Sequence, residues 1–183
     1  MPYNPKKHNR RSIRLKGYNY SQAGFYFVTI CLQDRTPLLG EIQNGEMFLN
    51  DAGRMVEKWW FELENKFPDK KCHAMVVMPD HFHCILETVK GEQVEGTVRG
   101  EQVEGAAIGE HIGSPLAAAI QWFKTMSTNE YIRGVKQYGW PKFNRKLWQR
   151  NYWEHIIRNE QAYERISRYI ENNPSKWKGS GQT

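Results

Sequence analysis

Between Ala74 and Leu86 the chain runs Ala-Met-Val-Val-Met-Pro-Asp-His-Phe-His-Cys-Ile-Leu. Two apolar runs are broken by a Met78-Pro79-Asp80 turn, which reads as a pair of strands joined by a hairpin. No other segment constrains the fold as much, and it also puts a His-Phe-His triplet at the mouth of a buried strand. Successive side chains on a strand alternate faces. His81 and His83 therefore project side by side from one face, while Phe82 and Cys84 go to the other. Two imidazoles a few ångströms apart on a rigid strand are half of a metal site. The plainer reading is two ordinary histidines in a hairpin. It suits a lone histidine better than a His-apolar-His pair, whose donors match metal-ligand chemistry.

The chain has 183 residues, enough for one domain with its own core. Only 39% of residues are hydrophobic but 13% are aromatic, so the core is expected to rest on large rings. Cys31, Cys72 and Cys84 make an odd number, and two of them lie in apolar runs where cysteine behaves as a small hydrophobe. That fits a reducing compartment without a disulfide framework. The start of the chain has charges but no apolar stretch of signal type, and no run approaches the ~18 residues of a membrane span. The expectation is a soluble, cytoplasmic protein with no membrane partner.

The net charge of +6 favours a polyanionic partner, and it is unevenly placed. Lys6, Lys7, Arg10, Arg11, Arg14 and Lys16 all precede the first acid, Asp34. A second basic stretch holds Lys124, Arg133, Lys136, Lys142, Arg145, Lys146 and Arg150, with Glu130 the only acid among them. Tyr131, Tyr138, Trp140, Phe143 and Trp148 are interleaved there. Basic side chains neutralise phosphates and exposed rings stack on unpaired bases. Either patch alone reads equally well as a solvated tail or face. Two patches flanking a candidate metal site point to nucleic acid.

Residues 1–20 read as a basic arm, 21–177 as a single domain, and 178–183 as a tail. Phe25 to Leu32 is a strand rich in aromatic and β-branched residues. Asp34 to Asn44 reads as a turn-rich connection, and Glu46 to Leu49 as a short strand. Asn50 or Asp51 caps a helix to about Lys66, whose apolar face is Met55, Val56, Trp59, Trp60 and Leu63. Ser114 and Pro115 open a second helix as N-cap and first-turn residue, running to about Arg133 and ending at Gly134. Trp148 to Ile157 reads as a strand. Asn159 caps a last helix, Glu160 to about Asn172, which Pro174 ends. Within a variable loop at 90–113, Gly91-Glu92-Gln93-Val94-Glu95-Gly96 is repeated as Gly100-Glu101-Gln102-Val103-Glu104-Gly105. Two copies cannot bury a core, so the repeat reads as a tandem duplication in a surface loop. The alternation of strands and helices implies an α+β layer with a mostly antiparallel sheet.

On the last helix Tyr169 and Asn173 are four residues apart and share a face. Two neutral imidazoles and an amide oxygen would hold a divalent cation and leave positions open. A phosphate oxygen in one of them would bring its phosphorus beside the Tyr169 hydroxyl. A tyrosine nucleophile gives a covalent phosphotyrosine, which stores the bond energy for rejoining. Tyr131 is the rival nucleophile, on the preceding helix, but Val135 stands where a ligand would be needed four positions on.

Three segments carry a family resemblance: Met78-Pro79-Asp80-His81-Phe82-His83, Trp148-Gln149-Arg150-Asn151-Tyr152-Trp153-Glu154-His155-Ile156-Ile157-Arg158-Asn159, and Tyr169-Ile170-Glu171-Asn172-Asn173-Pro174. In order and spacing the chain resembles the IS200-like Y1 transposases, in particular the branch called REP-associated tyrosine transposases, from about Arg11 to Trp177. The resemblance implies a ferredoxin-like α+β domain of the His-hydrophobic-His class, with helices packed on a central antiparallel sheet. It implies cleavage and rejoining of single-stranded DNA with Mg²⁺ or Mn²⁺ through a 5′-phosphotyrosine. By position, His81, His83 and Asn173 would be the metal ligands and Tyr169 the nucleophile. The partner would be hairpin DNA of the repeated extragenic palindrome type. Lys6, Lys7, Arg10, Arg11, Arg14, Lys16, Arg145, Lys146, Trp148 and Arg150 are the candidate DNA contacts. The active unit would be a monomer or a homodimer.

Two other readings compete. One is a hairpin-binding module that does not cleave. The other is an unrelated metal hydrolase built on His81 and His83, which needs a third ligand from His73, His155 or Glu87.

Overall fold

The computed structural model describes residues 23–89 and 115–179. The elements in order are β1 (Gly24–Cys31), a 3-10 turn (Gln33–Arg35), β2 (Gly40–Gln43), β3 (Glu46–Leu49), α1 (Asp51–Lys66), β4 (Lys70–Met78), β5 (His81–Thr88), α2 (Pro115–Tyr138), β6 (Trp153–Ile157), α3 (Glu160–Glu171) and a 3-10 turn (Pro174–Lys176). The main sheet has the order β4-β5-β1-β6, and each neighbouring pair is antiparallel. Setting aside the separate β2-β3 ribbon, the path is β-α-β-β-α-β, the ferredoxin-like arrangement expected from the family resemblance.

Strand alternation divides the core in two. Tyr26, Val28 and Ile30 of β1 and Phe82, Cys84 and Leu86 of β5 are buried on the face that packs against α1 and α2. That core is ringed, as the aromatic content implies. Phe82 lies 5.4 Å from both Trp60 and Phe123 between ring centroids. Burying side chains of this size stabilises by roughly 1.5–3 kcal/mol each. On the opposite face α3 covers a smaller cluster of Ile85, Ile157, Ile166 and Ile170, with Phe25 and Phe27 packed beside it. The sheet is thus sandwiched, with the histidine face turned to α3.

Local chemistry explains most boundaries. The Asn50 side chain accepts from Gly53 N at 2.9 Å and caps α1, and the Asn159 side chain accepts from Ala162 N at 2.8 Å and caps α3. Three boundaries differ from the sequence reading. The connection taken as turn-rich contains a strand, Gly40–Gln43, because Asn44 and Gly45 sit at φ 53° and 81° and close a two-residue hairpin onto β3. Helix α2 runs through Gly134 to Tyr138. A Cβ at Gly134 would lie 2.2 Å from the Trp140 ring, so this glycine makes room for a ring folding back on the helix and does not stop it. The last strand is confined to Trp153–Ile157. Trp148 makes only an isolated bridge to Leu32, and the Lys124 ammonium donates to the carbonyls of Gln149 and Arg150, holding that stretch out of the sheet. The basic arm, the Gly-Glu-Gln-Val repeat and Ser114 lie outside the described residues.

Among the described residues no helix is long and apolar enough to cross a membrane.

Candidate active site

The Met78-Pro79-Asp80-His81 turn is clamped to the end of β1. Leu32 N donates to Asp80 O at 2.8 Å, and Leu39 N to Pro79 O at 3.1 Å. His81 and His83 leave this turn on the α3 face, nearly buried, at 5% and 6% exposure. Their Nε2 atoms face each other at 3.0 Å.

Each ring is held from behind. His81 Nδ1 lies 2.6 Å from Asp80 Oδ1, and the Asp80 side chain is fully buried. A carboxylate oxygen accepts, so a neutral His81 ring that donates to it from Nδ1 has its lone pair on Nε2. His83 Nδ1 lies 2.7 Å from the Thr29 hydroxyl, which can donate or accept. That lets His83 carry its proton on either nitrogen. Burial first, then His81 and then Arg35, push the His83 pKa down to about 3, so the ring is neutral at ordinary pH. Neutral imidazole is the form that binds a metal.

The pair fits a small divalent cation. Ligands at ~2.1 Å and right angles, as in an octahedral Mg²⁺ site, stand about 3.0 Å apart. The Nε2–Nε2 separation is 3.0 Å.

Tyr169 comes to the pair from α3. Ile166 and Ile170 bury the inner face of that helix, which leaves Tyr169 on its flank at 44% exposure. Its hydroxyl is 3.5 Å from His83 Nε2, and its ring meets Phe27 edge-on at 6.0 Å. Asn173 follows the end of α3, is 9% exposed and does not cap the next turn with its side chain. That turn leads to Trp177, whose ring lies 5.5 Å from His81.

The other candidates lie elsewhere. Tyr131 is fully buried among α2 neighbours on the far face of the sheet. Its hydroxyl donates to Pro141 O at 2.9 Å, and burial pushes its pKa up to about 12. Trp148 corrects the expectation of a stacking ring: it is 4% exposed, and its indole N–H donates to Ser127 Oγ at 2.9 Å. Arg145, Lys146 and Arg150 are exposed and border a cleft of about 340 Å³ beside α2. Lys6, Lys7, Arg10, Arg11, Arg14 and Lys16 lie outside the described residues. His73 and Glu87 pair with each other at 2.8 Å, and His155 is exposed on β6. Among the described residues no three His, Cys, Asp or Glu side chains gather as a metal site, so the hydrolase reading finds no third ligand of those types.

Thr29 and Arg35 are the site-forming residues that the sequence reading passed over. The signal for Thr29 is the one aliphatic hydroxyl in a strand otherwise dominated by rings and aliphatics.

No family model matches the chain. An uncharacterized protein of Haemophilus influenzae is 40% identical over 180 residues, 96% of this chain and 93% of that protein. A candidate REP-associated tyrosine transposase of the same organism is 23% identical over 161 residues, 86% of this chain and 74% of the relative. In three dimensions the chain matches a REP-associated tyrosine transposase solved bound to a REP hairpin. The TM-score is 0.56 at 22% identity, over 89% of this chain and 73% of that one. The fold is therefore a transposase fold. The chain belongs to one family with the first of these relatives. The recognition its motifs gave, the REP-associated tyrosine transposases, is matched by the second in sequence and by the solved structure in fold.

Proposed function

We propose that the protein is a divalent-metal-dependent tyrosine endonuclease and strand transferase that acts on single-stranded hairpin DNA. The observation that carries this reading is the convergence of His81 Nε2 and the Tyr169 hydroxyl on His83 Nε2, at 3.0 and 3.5 Å. His81 and His83, with the Asn173 amide oxygen, would hold Mg²⁺ or Mn²⁺. A cation held by these residues would supply Lewis-acid chemistry at a phosphate oxygen. The phenol oxygen of Tyr169 bonds to phosphorus, the P–O3′ bond breaks, and the phenol proton ends on the released 3′-hydroxyl. Rejoining is the reverse, with a 3′-hydroxyl displacing the tyrosine.

The similar solved protein binds a REP hairpin, which supports the same DNA class here. Arg145, Lys146 and Arg150 offer exposed positive charge for its phosphates. Their segment reaches the site, because Leu147 O accepts from Gln33 N and Gln149 N donates to Cys31 O, at 2.7 and 2.9 Å. A ring for a base stands on the opposite side. Trp153 is 59% exposed and in register with Thr29, on the face that carries His83.

The test is a covalent-adduct assay on a labelled single-stranded hairpin from repeats flanking the gene, with Mn²⁺ or with chelator, read on a denaturing gel. The expected result is a metal-dependent shifted band that disappears in Tyr169→Phe. A hairpin that binds tightly and never forms an adduct would replace this reading with the non-cleaving module.

A further inference from the structure

Asp80 is a fully buried carboxylate, and only half of it is used by His81. Its second oxygen makes no aligned hydrogen bond and is held by charge alone, 2.9 Å from Arg35 Nε. We propose that Arg35 is a positioning residue: through Asp80 it locks the His81 ring with Nδ1 protonated and Nε2 presented to a cation. The inference rests on the metal reading of the site.

The backbone is arranged for this contact. Asp34 and Arg35 have φ of 60° and 54°, two consecutive non-glycine residues in the left-handed region. Such conformations are costly for residues with a Cβ and persist where the surroundings over-determine them. Here Gln33 N donates to Leu147 O at 2.7 Å, and Asn144 Nδ2 to Asp34 Oδ2 at 3.3 Å. The resulting turn sends the Arg35 guanidinium back over the sheet end. Its Nη1 is 2.8 Å from Cys31 Sγ, and Cys31 is the register partner of His81. Arg35 therefore spans the rungs that carry the ligand.

The physical reason is geometric. A buried carboxylate with one partner is costly and free to turn about its terminal torsion. A planar guanidinium on the second oxygen fixes the carboxylate, and the fixed carboxylate fixes the ring tautomer. Residues that orient a metal-binding histidine in this way typically change metal affinity 10–100-fold when lost.

The experiment uses the full chain with ¹⁵N-labelled histidine. Long-range proton–nitrogen spectra in chelator read the His81 tautomer, and electron paramagnetic resonance of free Mn²⁺ reads affinity. The expected wild-type ring carries its proton on Nδ1. Arg35→Gln should lose that uniform signature and weaken Mn²⁺ binding at least about tenfold. Its melting midpoint should fall by several degrees, because the buried Asp80 carboxylate loses its ion-pair partner, and its hairpin affinity in chelator should not change. Arg35→Lys, which keeps the charge, should recover part of the loss. A wild-type His81 protonated on Nε2 overturns the inference, whether or not any variant folds. So does Arg35→Gln with unchanged tautomer and Mn²⁺ affinity. Wild-type protein that ignores Mn²⁺ would sink the metal reading alone, since the spectra still decide whether Arg35 sets the tautomer.

Discussion

Helix α3 lays two tyrosines over two histidines on the same sheet face, and the two ends are built from the same parts. At one end Tyr163 meets His73 and Phe25; at the other Tyr169 meets His83 and Phe27. They differ in what each Nε2 meets. His73 is satisfied on both nitrogens, by Glu87 at 2.8 Å and by the Tyr163 hydroxyl at 3.1 Å. The His83 end instead has two Nε2 atoms turned toward each other and a half-exposed hydroxyl nearby. A hydrogen-bond circuit closed through the helix holds it in place, whereas two imidazole nitrogens bonded only to each other beside a half-exposed hydroxyl form a place where a ligand can displace their shared hydrogen bond. Residue types alone do not tell the two ends apart; the partner of each Nε2 does, a carboxylate for His73 and a second imidazole for His83.

The sharpest way to break this contrast is to remove one hydroxyl at each end. Tyr169→Phe is expected to abolish the covalent adduct entirely while leaving hairpin binding intact, as a gel and a binding titration on one preparation would show. Tyr163→Phe should keep forming adduct. If Tyr163→Phe were the variant that lost it, the assignment of roles would be reversed.

Next in size is the cost of opening the closed end. His73→Ala strands the Glu87 carboxylate and the Tyr163 hydroxyl, and because both are only partly buried the cost should sit near the low end of the range for an unpaired polar group, about 1 kcal/mol. A urea melt should show that loss of stability, while the folded fraction still forms adduct at the wild-type level. Adduct lost in step with hairpin binding would mean that this end also touches DNA.

A comparable effect is expected at Trp153. Base–aromatic stacking is worth about 1–3 kcal/mol per base, so Trp153→Ala should weaken hairpin binding by roughly tenfold or more. Its melting midpoint should hardly move, because the ring is 59% exposed. An unchanged affinity would show that no base rests there.

The tryptophans also mark where the sequence was legible and where it was not. The His-Phe-His strand, the Asn caps of α1 and α3 and the alternation of β1 are encoded locally, by period and by cap chemistry, and they fold as read. Trp148 and Trp153 sit five residues apart in one basic-aromatic stretch. Only the register with Leu32 and Thr29 makes the first a core residue and the second a surface one. Arg35 lies 45 positions before Asp80 in a turn with no local signal for its contact. Asn44-Gly45 was a local signal, and the strand before it went unread because Gly40, Glu41 and Gln43 dilute its apolar pattern. Elements were legible, while the contacts that assign chemistry to one end of α3 depend on pairings distant in sequence.

The smallest expected effect tests the His83 end without any DNA. Its pKa is about 3 in the folded chain against 6.5 for an unperturbed ring, so between those values the unfolded chain binds more protons. The contribution of the neutral ring is complete above about pH 6.5 and is lost as the pH falls toward 3. At pH 6 the difference is of order 1 kcal/mol, because it depends only on the unfolded ring titrating while the folded one does not. Melts in chelator at pH 8 and pH 6, wild type against His83→Ala, isolate it from the carboxylates common to both. Wild type should lose more stability on acidification than the variant. Equal losses would mean that His83 takes up its proton in place, and a neutral His83 ring facing Tyr169 would no longer describe this end of the helix.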